Sequence, residues 1–166
     1  MQSVYSFAPI SNPSASILIL GSMPGVASLK AHQYYAHPRN AFWPIMGDLF
    51  NFDANEPYTT RTQALKNANV ALWDVLKECE RPGSLDSSIK NGSRVANDFV
   101  AFFKQHTHIR LIAFNGAEAE KSFRKYVPAI EDFPNTHIVR LPSTSPAHTM
   151  PLKQKMTAWR DITNFK

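Results

Sequence analysis

Residues 16–25 read SILILGSMPG, an apolar run that stops at a glycine and passes straight into a loop punctuated by proline and glycine. A short run without polar alternation describes a strand covered on both faces, the kind found in parallel sheets. The pattern recurs three times: NVALW at 69–73 before Asp74, RLIAF at 110–114 before Asn115, and HIVRL at 137–141 before Pro142. Between these runs the apolar positions change to helical spacing. Val95, Phe99, Phe102, Phe103 and His106 form one stripe, Ala119, Phe123 and Tyr126 a second, and Leu152, Met156, Trp159 and Thr163 a third. Strands alternating with helices predict an α/β domain of three layers, α/β/α, built on a central four-stranded parallel sheet. Ligands of such sheets bind beyond the carboxyl ends of the strands. Four loops therefore hold the candidate chemistry: 21–25 with its continuation to Trp43, the turn at Trp73 and Asp74, Asn115 with Gly116, and 142–148.

Working outward, the 166 residues suit one domain over positions 1–166. Apolar residues make up 43% and charged residues 19%, and no uncharged apolar run is long enough for a membrane span, so a transmembrane protein is excluded. The first ten residues lack a basic segment ahead of an apolar one, and the single cysteine, Cys79, cannot close an intramolecular disulfide; both point to the cytoplasm. One cysteine also excludes a cysteine-ligated iron–sulfur cluster and zinc sites of the paired-cysteine type. Cys79 reads as an inert small residue. The net charge of +5 is unevenly placed: residues 1–47 hold Lys30 and Arg39 and no acid, 48–133 hold eleven basic and twelve acidic groups, and 134–166 hold five basic and one acidic. The surplus lies in the segments that carry the first and last loops. A polyanionic partner fits that distribution, as does an ordinary basic protein.

The first loop, GSMPG at 21–25, lacks the lysine and spacing of a phosphate-binding P-loop. The segment downstream of it is less ordinary: HQYYAHPRNAFW at 32–43 packs aromatic, basic and amide groups together with no acid. His32 and His37 suggest metal ligands, but no third ligand is evident, and the reading is of a site without metal or cofactor. Asn40 stands before a predicted helix, where asparagine is among the best N-caps. The Ser143–Ser145 run has no nearby His/Asp arrangement or nucleophile elbow and reads as a phosphate-gripping turn.

The order GxxPG, then a Y/F-x-HPxNxFW run, then PGSLD at 82–86, FNG at 114–116 and LPSTSP at 141–146 resembles the mismatch-specific uracil and thymine DNA glycosylases of the uracil-DNA glycosylase superfamily. All four sheet-end loops take part, over nearly the whole chain. One departure matters. Where the mismatch-specific branch has an asparagine in the first motif, this sequence has Met23, and a thioether does not direct water. The hypoxanthine-DNA glycosylase branch is more similar: its motif reads GSMPG and its important asparagine lies in the PxN segment, here Asn40. The resemblance thus implies a monofunctional DNA glycosylase that flips out a deaminated base, hypoxanthine first and uracil second. Asn40 would hold the attacking water, and the base would meet the amides of Ser22 and Met23, the ring of Tyr35, Asp74, Asn115 and Ser143. Arg39, Ser145, Pro146, Ala147 and His148 would meet the DNA strand, although Ala147 is too small to fill the gap a base leaves and His148 or Met150 stands in by position. Asp74, with an ionised carboxylate, would accept the N1–H of hypoxanthine, or else merely cap a helix. DNA is the implied partner, with the protein a monomer; a mismatch-specific uracil/thymine enzyme or a catalytically silent lesion-binding domain are the alternatives.

Overall fold

The computed structural model describes residues 3–127 and 135–166. Among the described residues, seven strands and six α-helices are interspersed along the sequence. The strands are β1 (Ser3–Tyr5), β2 (Ile17–Gly21), β3 (Val70–Asp74), β4 (Leu76–Glu80), β5 (Val95–Ala96), β6 (Leu111–Asn115) and β7 (His137–Leu141). The helices are α1 (Val26–Ala31), α2 (Phe42–Phe50), α3 (Tyr58–Asn67), α4 (Phe99–Gln105), α5 (Ala117–Tyr126) and α6 (Leu152–Trp159), the last followed by a 3₁₀ turn over Arg160–Phe165.

β2, β3, β6 and β7 form a parallel sheet in the order β3-β2-β6-β7. These are the four predicted apolar runs, three of them shifted by one residue so that Gly21, Asp74 and Asn115 are the final strand residues. β2 and β3 are buried along their whole length, which is why their sequences show no alternation. The chain steps from β2 to one side and then crosses to β6 on the other. Because crossovers between parallel strands are right-handed, this reversal puts successive connections on opposite faces. On one face Phe42 of α2 meets Trp159 of α6 edge-on at 6.4 Å. On the other, Trp73 of β3 packs on Phe99 and Phe102 of α4, and Phe99 on Phe123 of α5. The reversal leaves a crevice between the carboxyl ends of β2 and β6, the switch point where ligands of such sheets bind.

A second, antiparallel sheet, β1-β4-β5, is absent from the sequence-based expectation. The chain leaves Asp74 not into a helix but, one residue later, into β4; Val75 donates its N–H to the Gly21 carbonyl at 2.8 Å. The stripe assigned from Val95 also needs correction, because Val95 lies in β5 and is 44% exposed while α4 starts at Phe99. In the last stripe Leu152 points outward and the buried position of that turn belongs to Lys155. No helix among the described residues is long and apolar enough to cross a membrane.

Candidate active site

The twelve residues that the resemblance assigned to water, base and strand all line one cavity of about 650 Å³ at the carboxyl ends of the parallel strands, whereas Met150, the other stand-in for the wedge, is not on its lining. The strand register explains the convergence. Gly21 pairs with Asp74 across β2 and β3, and Asn115 with Leu141 across β6 and β7, so the four following loops start at one level.

Gly21 and Asp74 form the floor. A Cβ at position 21 would lie 2.6 Å from Asp74 Oδ1 and 2.8 Å from the Tyr35 hydroxyl, so only glycine lets these two polar groups approach the same spot. Asp74 is 3% exposed, and its Oδ2 accepts a hydrogen bond from Ser6 Oγ at 2.7 Å. Ser6 reaches it because the small sheet carries the N-terminal strand there, with the Ser6 N–H bonded to the Lys77 carbonyl. The capping role allowed for Asp74 is therefore corrected: a strand follows it, and its carboxyl is bonded to a serine hydroxyl rather than to helix amides. Burial raises its pKa from 3.8 to about 7, opposed by the Ser6 hydrogen bond, with Asp86 raising it further and Arg81 lowering it. The fully ionised acceptor of the sequence reading is thus a group balanced between its two forms near neutrality.

Tyr35 stands in the left-handed region at φ 55° and stacks on Phe42 with ring centroids 4.1 Å apart and planes 19° apart. One ring face is taken, and any stacked base must use the other. Among the described residues no donor or acceptor completes a hydrogen bond to its buried hydroxyl; burial and then the nearby Asp74 charge push its pKa up, opposed by the neighbouring Asn115 side chain. Asn40 precedes α2, and its Oδ1 accepts the Phe42 N–H at 2.9 Å. The N-cap position itself belongs to Ala41, one residue later and without a side-chain cap bond, so the capping reading of Asn40 is corrected: it stands just outside the cap and holds the N–H of the first helical residue. That bond also fixes the amide plane and leaves one oxygen lone pair and the Nδ2 donors for the cavity it lines. Met23 is 7% exposed and packs into the core, so this residue offers the cavity mainly its backbone.

The last loop is held from four directions. Asn115 exchanges two hydrogen bonds with Thr144, Nδ2 donating to Oγ1 and Oδ1 accepting the Thr144 N–H, both 2.9 Å. Thr144 O accepts the Ala41 N–H at 3.0 Å, and Trp159 Nε1 donates to Pro142 O at 2.9 Å. Lys155, 4% exposed, donates to the carbonyls of Ser145 at 3.1 Å and His148 at 2.8 Å. Ser143 and Ser145 turn their hydroxyls to the Ser145 and Ala147 N–H groups, each at 3.2 Å. Gly116, at φ 94°, lets β6 pass within contact of Ser143. Ala147 and His148 stay exposed on the mouth, as does Arg39.

Sequence reasoning missed the groups that brace the first loop. Arg81, 3% exposed, donates from Nη2 to Pro24 O at 2.6 Å and from Nε to Gly83 O at 2.8 Å. Ser22 Oγ donates to Asp86 Oδ1 at 2.6 Å, and Val26 donates its N–H to Ser84 Oγ at 2.8 Å. Asp86 is an exposed residue, but its carboxyl end is crowded enough that desolvation, opposed by the Ser22 hydroxyl, raises its pKa. The PGSLD string was the available signal for this loop. Thr144 and Lys155 carried none, since both look like ordinary surface residues until the loop folds over them.

The sequence comparisons bear directly on this geometry. The family model described as the uracil DNA glycosylase superfamily matches residues 8–163. The chain belongs to that superfamily. It is 34% identical over 156 residues to a hypoxanthine DNA glycosylase of Methanosarcina barkeri, covering 93% of this chain and 94% of the relative. Against a protein of the same description from Methanosarcina acetivorans it is 33% identical over 157 residues, covering 94% and 95%. The solution NMR structure of a candidate uracil DNA glycosylase from Methanosarcina acetivorans superimposes with a TM-score of 0.82 at 31% identity, covering 98% of this chain and 97% of that one.

The floor and walls of a superfamily pocket are thus built here from hydroxyls, amides, two tyrosines and two carboxyls, with Arg39, His37 and His148 also on the lining. Among the described residues, no three His, Cys, Asp or Glu side chains are placed to hold a metal. His32 lines a separate cleft beside Tyr58 and Lys66, and His37 Nδ1 accepts the Arg39 N–H at 3.1 Å. Dialysis against EDTA is expected to leave base excision unchanged; a loss restored by a divalent ion would contradict a hydrolysis run by these side chains alone.

Proposed function

We propose that the chain is a monofunctional DNA glycosylase that removes hypoxanthine from deoxyinosine by base flipping and hydrolysis of the N-glycosidic bond. The observation that carries this reading is the convergence of the first, second, third and last loops on one cavity, with Asn40, Tyr35 and Asp74 lining it together. Both Methanosarcina relatives, matched over more than nine-tenths of this chain, bear the name of that activity.

Cleavage develops positive charge on the sugar and negative charge on the departing purine. A protein assists by fixing donors around the base and a water on the far side of the sugar. Asn40, its amide plane set by the Phe42 N–H, orients that water; an amide does not act as a base near neutral pH. The free face of Tyr35 stacks the flipped ring, a contact worth about 1–3 kcal/mol. Ser22 and Met23 contribute backbone amides, and Ser143 lies at the opposite wall. Asn115, engaged twice by Thr144, serves first to hold the last loop in place. Lesions that pair poorly, as hypoxanthine does opposite thymine, give up their stack at least cost.

The deciding experiment uses matched duplexes containing one inosine, uracil or xanthine, treated with protein and then hot alkali, which breaks the strand at abasic sites. Strand breaks at inosine are expected. Lesion binding without breaks would leave a silent binding domain, and breaks at uracil alone would move the protein to the uracil-specific side of its superfamily.

The mouth carries the electrostatic share of binding. Arg39 is exposed beside the cavity, in a segment with no acid before Asp48. Affinity for duplex DNA is expected to fall steeply with salt, and Arg39→Ala to reduce the slope of log K against log salt by about 1. Equal slopes for the two proteins would mean that Arg39 meets no phosphate.

A further inference from the structure

Asp74 stands apart from the other groups in the cavity because it is a carboxyl at the enclosed end with no cation bonded to it. Among the described residues the one hydrogen-bond donor to its carboxyl is Ser6, on Oδ2. Arg81, the basic group that acts on it, has its Nε and Nη2 committed to the carbonyls of Gly83 and Pro24, while its buried Nη1 makes no hydrogen bond to Asp74 or to any other described residue. The other titratable groups that reach it are Asp86 from the 82–86 loop and Tyr34, Tyr35 and Tyr58, and of the two charges acting on it the acid Asp86 outweighs the base Arg81. Oδ1 lies beside Gly21, where an added Cβ would come within 2.6 Å of it and 2.8 Å of the Tyr35 hydroxyl, and the residue lines the cavity.

Burying an ionised carboxylate without a partner costs several kcal/mol, and such a group takes up a proton instead. A base that enters the cavity expels the remaining water, and the phosphates of its strand add negative charge at the mouth. Both changes favour the neutral acid. A neutral carboxyl is a hydrogen-bond donor, and Asp74 lines the cavity that would hold the leaving group.

We propose that Asp74 enters the reaction as a carboxylic acid and protonates the departing purine. This rests on the glycosylase reading above. The C1′–N9 bond breaks with its electron pair going to the base, while the proton passes from Asp74 Oδ1 to an acceptor nitrogen of the ring, N7 or N3. Water held at Asn40 adds its hydroxyl to C1′, and its remaining proton returns Asp74 to the acid form through solvent. Adenine meets the same donor, so this step contributes rate, and choice between the two bases falls to the rest of the pocket.

The test is the pH dependence of single-turnover inosine excision with enzyme saturating, for wild type and Asp74→Asn. Wild type is expected to hold a plateau on the acid side and to fall tenfold per pH unit above an inflection at or above pH 7. Asp74→Asn is expected to be about 10²-fold slower on the plateau, within the range of one acid–base group, and to lose the alkaline limb. A wild-type rate that rises with pH through 7 would assign Asp74 the opposite role, an ionised acceptor, and overturn the proposal. An alkaline limb that survives in Asp74→Asn would overturn it too, by placing the acid elsewhere. Thermal melts of the variant distinguish lost chemistry from lost fold. Should wild type leave inosine uncleaved at every pH, the failure lies with the hypoxanthine reading and not with this step.

Discussion

Asn40→Ala is expected to lower the single-turnover rate of inosine excision by roughly 10²- to 10³-fold, the scale of removing one preorganised polar group, with little change in DNA affinity. The asparagine has two jobs, and the structure allows them to be separated. Its Oδ1 accepts the Phe42 N–H at the start of α2, and losing that one hydrogen bond costs about 0.5–1.5 kcal/mol. In a chain of this size a loss of about 1 kcal/mol lowers Tm by roughly 2–4 °C. Asn40→Ser keeps a side-chain oxygen acceptor for the Phe42 N–H but lacks the amide donors. It should recover most of the melting temperature and little of the rate. If serine restores both, Asn40 matters only as the start of the helix that carries Phe42 beneath Tyr35.

The contrast between those two jobs reflects what a sequence can disclose. The parallel sheet was legible because β2 and β3 are covered on both faces, and full burial leaves an uninterrupted apolar string. Its site residues were legible because chemistry-bearing types sit immediately after those strings. The small antiparallel sheet was not legible: β4 reads LKECE with only Leu76 and Cys79 buried, and β5 is two residues long. Such strands are defined by their partners, and the partner of β4, at Ser3–Tyr5, lies more than seventy residues earlier. That pairing brings Ser6 to Asp74. Without it Asp74 looked like the cap of a following helix. Lys155 was hidden for a related reason. A lysine within LKQKMTAW reads as solvent-facing, and its burial follows only from the loop carbonyls of Ser145 and His148 closing over it. Exposed polar types with long-range partners are what local pattern reading loses.

Asp74 also sets a conflict between stability and chemistry that can be measured apart from activity. A carboxyl whose pKa rises from 3.8 in the unfolded chain to about 7 in the fold binds its proton more tightly when folded. The folded state therefore holds more protons than the unfolded state between those values, and stability falls as pH climbs through that window. A displacement of this size corresponds to ~4 kcal/mol, present below about pH 4 and lost once the pH passes about 7. Asparagine has the same shape and no charge to bury. Relative to wild type, Asp74→Asn should therefore gain stability steadily from pH 4 to pH 8, ending more stable even though its excision is slower. Urea unfolding of both proteins at pH 5 and pH 8 measures the difference directly, since titrations common to the two cancel. Parallel pH dependences would mean that Asp74 is as well solvated in the fold as in the unfolded chain, and the buried, cation-free carboxyl would then have no energetic consequence. A widening gap would mean that the fold bears a cost for keeping an acid at the floor of the cavity, which is the stability–activity trade expected of a working group in an active site.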